Sequence, residues 1–375
     1  MELYNIHKLL QYPPYIMPAT THPEFNINTE GLEVAKAFSD GILGKTVLVT
    51  GGNLGGIGYT TCQAFASQNP SHLIIAGRTS SKVDECIDRL KAQYPTVDYR
   101  PLNINLSSQK SVRAAAANLL SWDDIPTIDI IVNSAGVMGI AERTLSEDGI
   151  EMHFATNHIG HWLLMCSIMP KLIKAAEKNP KGATRVVNVS SASPQLRTMR
   201  WSDMNFEKLN KDLPEEEQPN YKMMDLWGYK DVPNKSYIGL EGYHVSKVAN
   251  VLSSVATNRR LYEKYGILTL AVHPGIINTE LGRNFPPEIL AAITALLDSG
   301  AYARKSLGAG ASTSLVAALD PKLGPGETVD GKENYGVYLD DCQISDKALP
   351  SSVSSSAAEK LWKLSEELVN EKFQW

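Results

Sequence analysis

The stretch Lys45-Thr46-Val47-Leu48-Val49-Thr50-Gly51-Gly52-Asn53-Leu54-Gly55-Gly56-Ile57-Gly58 decides how the chain is read. Its first half is short and continuously apolar, as a strand buried on both faces of a parallel sheet must be. Its second half is a glycine-rich turn, and residues 59–67 then have the composition of a helix. Strand, glycine turn and helix in that order let backbone amides approach a pyrophosphate, whose charge the helix N-terminus stabilises. Without that context, the glycines would mark only a turn.

The next apolar run, residues 72–77, ends where an NAD site usually carries Asp or Glu, about 20 residues past the glycines. This chain has Gly77, then Arg78, Thr79, Ser80 and Ser81. A guanidinium with hydroxyls suits a 2′-phosphate, which points to NADP(H) rather than NAD.

Helical and apolar segments then alternate. Helices are expected at residues 82–93 and 108–120, the second capped by Ser107 or Ser108. Strands are expected at residues 99–102, 128–132, 185–189 and 267–272, and near 335–339. Further helices are expected around Asn157, around Tyr243 as far as Gly266, at 287–297 and 309–319, and at 357–370. Such alternation predicts a doubly wound parallel α/β sheet covered on both faces, in a single domain over residues 44–372. Residues 1–43 form an N-terminal extension, irregular at Pro13-Pro14 and Pro18, with a short helix at 32–38 closed by Gly41. Residues 194–240 break the pattern. They are polar but hold Trp201, Tyr221, Trp227, Tyr229 and Tyr237, which argues for a packed substrate loop or lid rather than disorder.

Composition narrows the function classes. A formal net charge of −5 gives no support to binding nucleic acid or an anionic membrane. Cys62, Cys86, Cys166 and Cys342 lie far apart, without metal-like spacing, and read as reduced thiols of a cytoplasmic protein. No apolar run approaches the ~20 residues that span a bilayer. Met1–His7 lacks the basic and apolar regions of a signal peptide.

The chemistry centres on Gly242-Tyr243-His244-Val245-Ser246-Lys247-Val248-Ala249-Asn250. Its apolar residues have a helical period, so Tyr243 and Lys247 are one turn apart on one face. A free tyrosine has a pKa of about 10. A lysine ammonium beside it favours the phenolate, so the pair can exchange a proton with a substrate oxygen. Alone this spacing is weak, because surface helices often carry both residues. Asn157, among Phe154, Ile159 and Leu163, is either a satisfied core amide or a site residue. Ser190 and Ser191 end a strand where a ligand crevice lies, or are turn residues.

Taken together, these motifs resemble the short-chain dehydrogenase/reductase family across residues 44–372, most closely its retinol-dehydrogenase branch. The resemblance rests on Thr50-Gly51 with Gly56-Ile57-Gly58, and on Asn133 with Ala135-Gly136. It rests also on Asn157-His158-Ile159-Gly160-His161, Val189-Ser190-Ser191, Tyr243 with Ser246-Lys247, and Pro274-Gly275-Ile276-Ile277-Asn278-Thr279. The tail, Gly336 to Cys342 with Leu361-Trp362, is similar as well. The family fold is the Rossmann type.

The resemblance implies a role for each residue. Tyr243 is the acid/base, and Lys247 tunes it and binds the nicotinamide ribose. Ser191 hydrogen-bonds the reacting oxygen, and Asn157 holds a water in a relay through Lys247. Gly51, Asn53, Leu54, Gly56, Ile57 and Gly58 cradle the pyrophosphate. Arg78, Asn105 and Leu106 hold the adenosine end, and Asn133, Ala135 and Gly136 flank its ribose. Ile277 and Thr279 hold the carboxamide, and Pro274 and Gly275 beside them also bind the cofactor. The chain departs from the family pattern in having four residues between Gly51 and Gly56 where three is commonest. Asn105 replaces an aspartate, Ser134 replaces an asparagine, and the segment from Ser191 to Tyr243 is longer.

The expected activity is NADP-dependent interconversion of a carbonyl and an alcohol, run as a ketoreductase on a bulky lipophilic substrate of secondary-metabolite type. A non-redox cyclase or isomerase, or a cofactor-binding sensor, is the alternative on the same fold. Expected partners are the small-molecule substrate and a second copy of the chain. Nucleic acid, a membrane span and a metal are not expected.

Overall fold

In the computed structural model, which describes residues 18–300 and 302–375, the apolar runs pair side by side in one eight-stranded sheet. The readings made at Met1–His7 and Pro13-Pro14 lie outside the described residues. Six strands carry the site: β1 (Thr46–Thr50), β2 (His72–Gly77), β3 (Asp98–Asn103), β4 (Ile130–Asn133), β5 (Thr184–Val189) and β6 (Ile267–His273). Their order is β3-β2-β1-β4-β5-β6, followed by Tyr338–Asp340 and Gln343–Ile344, and only the last pairing is antiparallel. Chain direction around the sheet reverses between β1 and β4, so a crevice opens at their carboxyl ends. The register brings those ends level, with Thr50 opposite Ala76, Asn133 opposite Asn188 and Val189 opposite Val272.

The pleat divides the side chains between two cores. Val47, Val49, Leu73 and Ile75 face one way, against α1 (Gly31–Ala37), α2 (Ile57–Ala66), α3 (Ser80–Gln93) and the helix Leu307–Leu319. Leu48, Ile74 and Val186 face the other way, against α4 (Gln109–Leu120), Gly160–Ser167, Gly239–Tyr265 and Ser355–Val369. Burial on both sides is why these strands read as unbroken apolar runs. The predicted caps are present: the Ser108 hydroxyl accepts from the Ser111 amide at 3.2 Å, and Gly266 takes the left-handed conformation at φ 73°. Buried Arg185 satisfies carbonyls at the end of the helix Leu307–Leu319, donating to Ala317 and Asp320 at 2.7 Å each.

The part of the extension that is described is built into the core. Phe25, Val34, Ala35 and Phe38 belong to the same buried cluster as Val47 and Leu315. The Thr21 amide and hydroxyl both donate to the Asp320 carboxylate at 2.6 Å. The strand expected near 335–339 divides. Lys332–Tyr335 pairs with Glu327–Val329 in a separate ribbon, the chain turns at Gly336 (φ 104°), and Tyr338–Asp340 joins the main sheet.

Residues 194–240 are folded, mainly around Arg200. Its buried guanidinium donates to the Asp203 carboxylate at 2.6 Å, Asn210 Oδ1 at 2.6 Å, Lys208 O at 2.8 Å and Ser236 O at 3.2 Å. The buried pair Arg197–Glu241, at 2.6 Å, ties the segment to the Tyr243 helix. All four cysteines are buried and unpaired. Among the described residues no helix is long and apolar enough to cross a membrane, and no cluster could hold a metal ion.

Candidate active site

At the carboxyl ends of the strands lies a groove of about 780 Å³. Arg78, Thr79 and Lys82 line it beyond β2, and Ser191, Tyr243, Lys247, Pro274 and Ile277 line it beyond β5 and β6. Of the residues given a catalytic or cofactor role from the sequence, all border the groove except Leu54, Asn133 and Asn157. Asn133 lies behind the wall. Its amide donates to Asn188 Oδ1 at 2.8 Å, and Asn188 donates on to the Ser254 hydroxyl at 3.0 Å.

The long glycine turn is folded on Asn53. Asn53 Nδ2 donates to Gly51 O at 3.3 Å, and the Gly56 amide donates to Asn53 O at 3.1 Å. The extra residue therefore consumes the Gly56 amide within the turn. Gly51 is required by packing: its φ is 81°, and a Cβ there would lie 2.8 Å from Ala135 Cα. Helix α2 then starts at Ile57 without a side-chain cap, so the Ile57 and Gly58 amides open on the groove, while that of Tyr59 donates to Gly56 O at 3.1 Å. Asn53 Oδ1 is buried and meets no polar group of the protein. An uncapped helix start and an unpartnered acceptor in the groove wall fit a dinucleotide, whose pyrophosphate takes amides and whose hydroxyls supply donors.

Thr50, at the end of β1, holds the opposite bank. Its hydroxyl oxygen accepts from the Ser134 and Ala135 amides, both at 3.0 Å, and lies 2.8 Å from His161 Nε2. With both amides donating to it, the hydroxyl gives its own proton to Nε2. His161 then carries its proton on Nδ1, which donates to the Asn157 carbonyl at 3.1 Å. Burial keeps this imidazole neutral, its pKa pushed down to about 4. Asn157 sits in a one-turn π segment, Ala155–Ile159, inside the helical stretch. Its amide gives both protons away, to Val137 O at 3.0 Å and the Ser246 hydroxyl at 2.9 Å, and its Oδ1 accepts from the Val137 amide at 2.8 Å. The side chain thus locks the Val137 backbone to the Tyr243 helix. Position 136 is tight: a Cβ there would lie 3.2 Å from Asn157 Oδ1 and would press on that side chain.

Tyr243 and Lys247 lie one turn apart on the helix Gly239–Tyr265, both buried, with Nζ 5.6 Å from the phenol ring centre. Lys247 Nζ donates to Val189 O at 2.7 Å, and the Ser190 hydroxyl donates to Lys247 O at 2.7 Å. Burial dominates the ionisation of both groups. It pushes Tyr243 up to about 12, against a smaller pull from the Ser191 hydroxyl, and Lys247 down to about 7. The sequence led us to expect Lys247 to lower the tyrosine pKa. In the structure burial acts the other way, and the group that pulls the phenol down is the Ser191 hydroxyl.

Two neighbours were not legible in the sequence. The Tyr338 hydroxyl donates to Ser191 O at 2.7 Å and so fixes the serine backbone from the far end of the chain. Lys82 borders the groove at the start of α3, 3.6 Å from Glu280. Its place four residues after Arg78 was the available signal. The aromatic segment divides in two. Trp201 and Tyr237 pack on the core beneath the sheet, while Tyr221, Trp227 and Tyr229 join Tyr243, Phe285 and Ile289 in a separate apolar cluster. No residue of 194–240 borders the groove itself.

Residues 45–202 match the family model described as short chain dehydrogenase. The chain is 35% identical over 252 residues to oxidoreductase fscI of Fusarium equiseti, covering 67% of this chain and 94% of that protein. It is 32% identical over 336 residues to mouse (Mus musculus) retinol dehydrogenase 14, covering 87% and 86%. Its fold matches that of an NADPH-bound carbonyl reductase from chicken fatty liver with a TM-score of 0.52 at 18% identity, covering 80% of this chain and 97% of that one. With the groove and its glycine turn, these likenesses lead to one conclusion: the chain belongs to the short-chain dehydrogenase/reductase family, oxidoreductases that work with a nicotinamide cofactor.

Proposed function

We propose that the protein is an NADP-dependent ketoreductase of the cytoplasm, interconverting a carbonyl and an alcohol on a bulky lipophilic substrate of secondary-metabolite type. The observation that carries the reading is the meeting of Ser191 and Tyr243 at the groove, with buried Lys247 one turn away. The nicotinamide, when bound, supplies or accepts the hydride. Ser191 donates a hydrogen bond to the reacting oxygen, and Tyr243 gives that oxygen its proton. Lys247, held by Val189 O, would bind the nicotinamide ribose and stabilise the phenolate left behind. A phenol that burial keeps protonated suits a proton donor, which favours reduction.

Choice of NADP is supported by Arg78 and Lys82 on the groove wall and by the absence of an acid at Gly77. A lipophilic substrate is supported by the apolar cluster around Tyr243, which Met138, Met223 and Ile293 extend. Leu226 and Leu290 are exposed beside it. The buried, unpaired thiols suit a reducing compartment.

The test is NADPH consumption with ketones graded by size. Tyr243→Phe keeps the ring and removes the proton, so turnover should fall by at least about 10²–10⁴ while NADPH still binds. A variant that retains most of its turnover would overturn the assignment. Conversion of a substrate without NADPH consumption would point instead to the non-redox reading.

A further inference from the structure

Ser191 is not alone in the site. Its hydroxyl donates to the Ser193 hydroxyl at 2.6 Å, and its oxygen accepts from the Ser193 amide at 2.9 Å. The Ser193 hydroxyl lies in turn 2.7 Å from His244 Nδ1. All three side chains sit at the root of the Tyr243 helix, and Ser193 and His244 are buried. Neither Ser193 nor His244 borders the groove.

A count of protons decides what the chain of groups does. Two hydroxyls 2.6 Å apart share one proton between them. If Ser191 gives its proton to Ser193, it has none left for the reacting oxygen. For Ser191 to donate outward, Ser193 must donate to Ser191. Ser193 then turns a lone pair to His244, and Nδ1 must carry a proton. Burial keeps His244 neutral, with its pKa pushed down to about 3, so a proton on Nδ1 leaves Nε2 bare. Nε2 meets no polar group of the protein in either tautomer, so the choice is made at Nδ1.

We propose that His244, acting through Ser193, is a positioning residue that, by donating to Ser193, reverses the Ser193–Ser191 bond and turns the Ser191 proton toward the reacting oxygen. The proposal rests on the reading that Ser191 donates to that oxygen. In the working arrangement His244 Nδ1–H donates to Ser193, Ser193 donates to Ser191, and Ser191 donates to the substrate. Aligned donors polarise one another, so the last bond is strengthened as charge develops on the substrate oxygen.

Three variants and a spectrum test this. Ser193→Ala removes the link, His244→Leu removes the ring's proton, and His244→Asn keeps an N–H near the position of Nδ1. Removing an oxyanion donor outright costs about 10²–10³ in kcat, and here the donor is only misdirected, so a fall of about tenfold is expected for Ser193→Ala and His244→Leu. KM for NADPH and NADPH binding should be unchanged, and His244→Asn should recover most of kcat. Ring ¹⁵N spectra of histidine-labelled protein with NADP⁺ added, assigned by the loss of signal in His244→Asn, should show Nδ1 protonated and Nε2 bare. A His244→Leu protein with wild-type kcat, an asparagine variant as slow as the leucine one, or a ring protonated at Nε2 would each overturn the proposal. Failure of the underlying reading shows separately, as turnover that survives Tyr243→Phe or Ser191→Ala. The ring spectrum decides the tautomer even then.

Discussion

Arg78→Ala is the sharpest probe of cofactor choice. Arg78 is exposed at the end of β2 and borders the groove beside Thr79 and Lys82. A guanidinium–phosphate bond is charge-assisted, which places its loss at about 1.5–3 kcal/mol. At 1.4 kcal/mol per tenfold, NADPH binding should weaken about ten- to a hundredfold. NADH has no 2′-phosphate, so its binding should change little. Lys82 adds a smaller share. Its contact with Glu280 at 3.6 Å joins two side chains that are each over half exposed. Such a pair is worth roughly 0–1 kcal/mol, so Lys82 can leave it for a phosphate at little cost. Lys82→Ala should therefore weaken NADPH by less than Arg78→Ala, and Glu280→Gln should tighten it slightly. The opposite engineering step meets resistance: a Cβ at Gly77 would lie 2.7 Å from Val83 Cγ2, so an acid for NAD enters only if Val83 gives way. Fluorescence titration of both cofactors, at low and high salt, reads these effects. The NADPH penalty should shrink as salt rises. Equal losses for NADPH and NADH in Arg78→Ala would refute the reasoning.

Other consequences are as direct. His158 and His161 are buried neutral, with pKa values pushed down to about 3 and 4, whereas the unfolded chain takes up these protons near pH 6.5. Their contribution is complete above pH 6.5 and is lost as the pH falls, by about 1.4 kcal/mol per pH unit for each histidine. His158→Gln, which can keep the 2.9 Å bond to Ser365, should flatten the acid side of the profile by about one proton in urea unfolding. An unaltered slope would contradict the burial argument. Arg200→Ala strands the Asp203 carboxylate in the interior and should cost about 3–5 kcal/mol, seen as lower stability and faster proteolysis within 194–240. Trp227→Ala opens the cluster around Tyr243 and should raise KM for bulky ketones more than for small ones. If both rise equally, the cluster is not a substrate wall.

What could be read in advance was what repeats locally. Strands buried on both faces announce themselves as apolar runs, and a glycine turn between strand and helix has few other uses. Tyr243 and Lys247 were legible because one helical turn fixes their distance. The π segment at Asn157 was not, because residues 157–166 are all buried and no polar face marks the shift of phase that one extra residue brings. The fold of residues 194–240 was hidden because Arg200 reaches partners up to 36 positions away. The partnership of Ser193 with His244 spans 51 positions, and no local pattern relates them. The ionisation of Tyr243 and Lys247 depends on the depth of the pocket, which spacing does not encode.

The packing of α1 sets an order of events during synthesis. Gly31 lies against Leu315 and Ala311, and Thr21 is bonded to Asp320, 299 residues further along. At ~5–20 residues per second, those partners leave the ribosome on the order of tens of seconds after α1. Until then Phe25, Val34 and Phe38 have only part of their cover. The start of the chain is thus among the last parts to be sealed, and a nascent protein stalled before residue 307 would show a chaperone an apolar face that the finished one conceals.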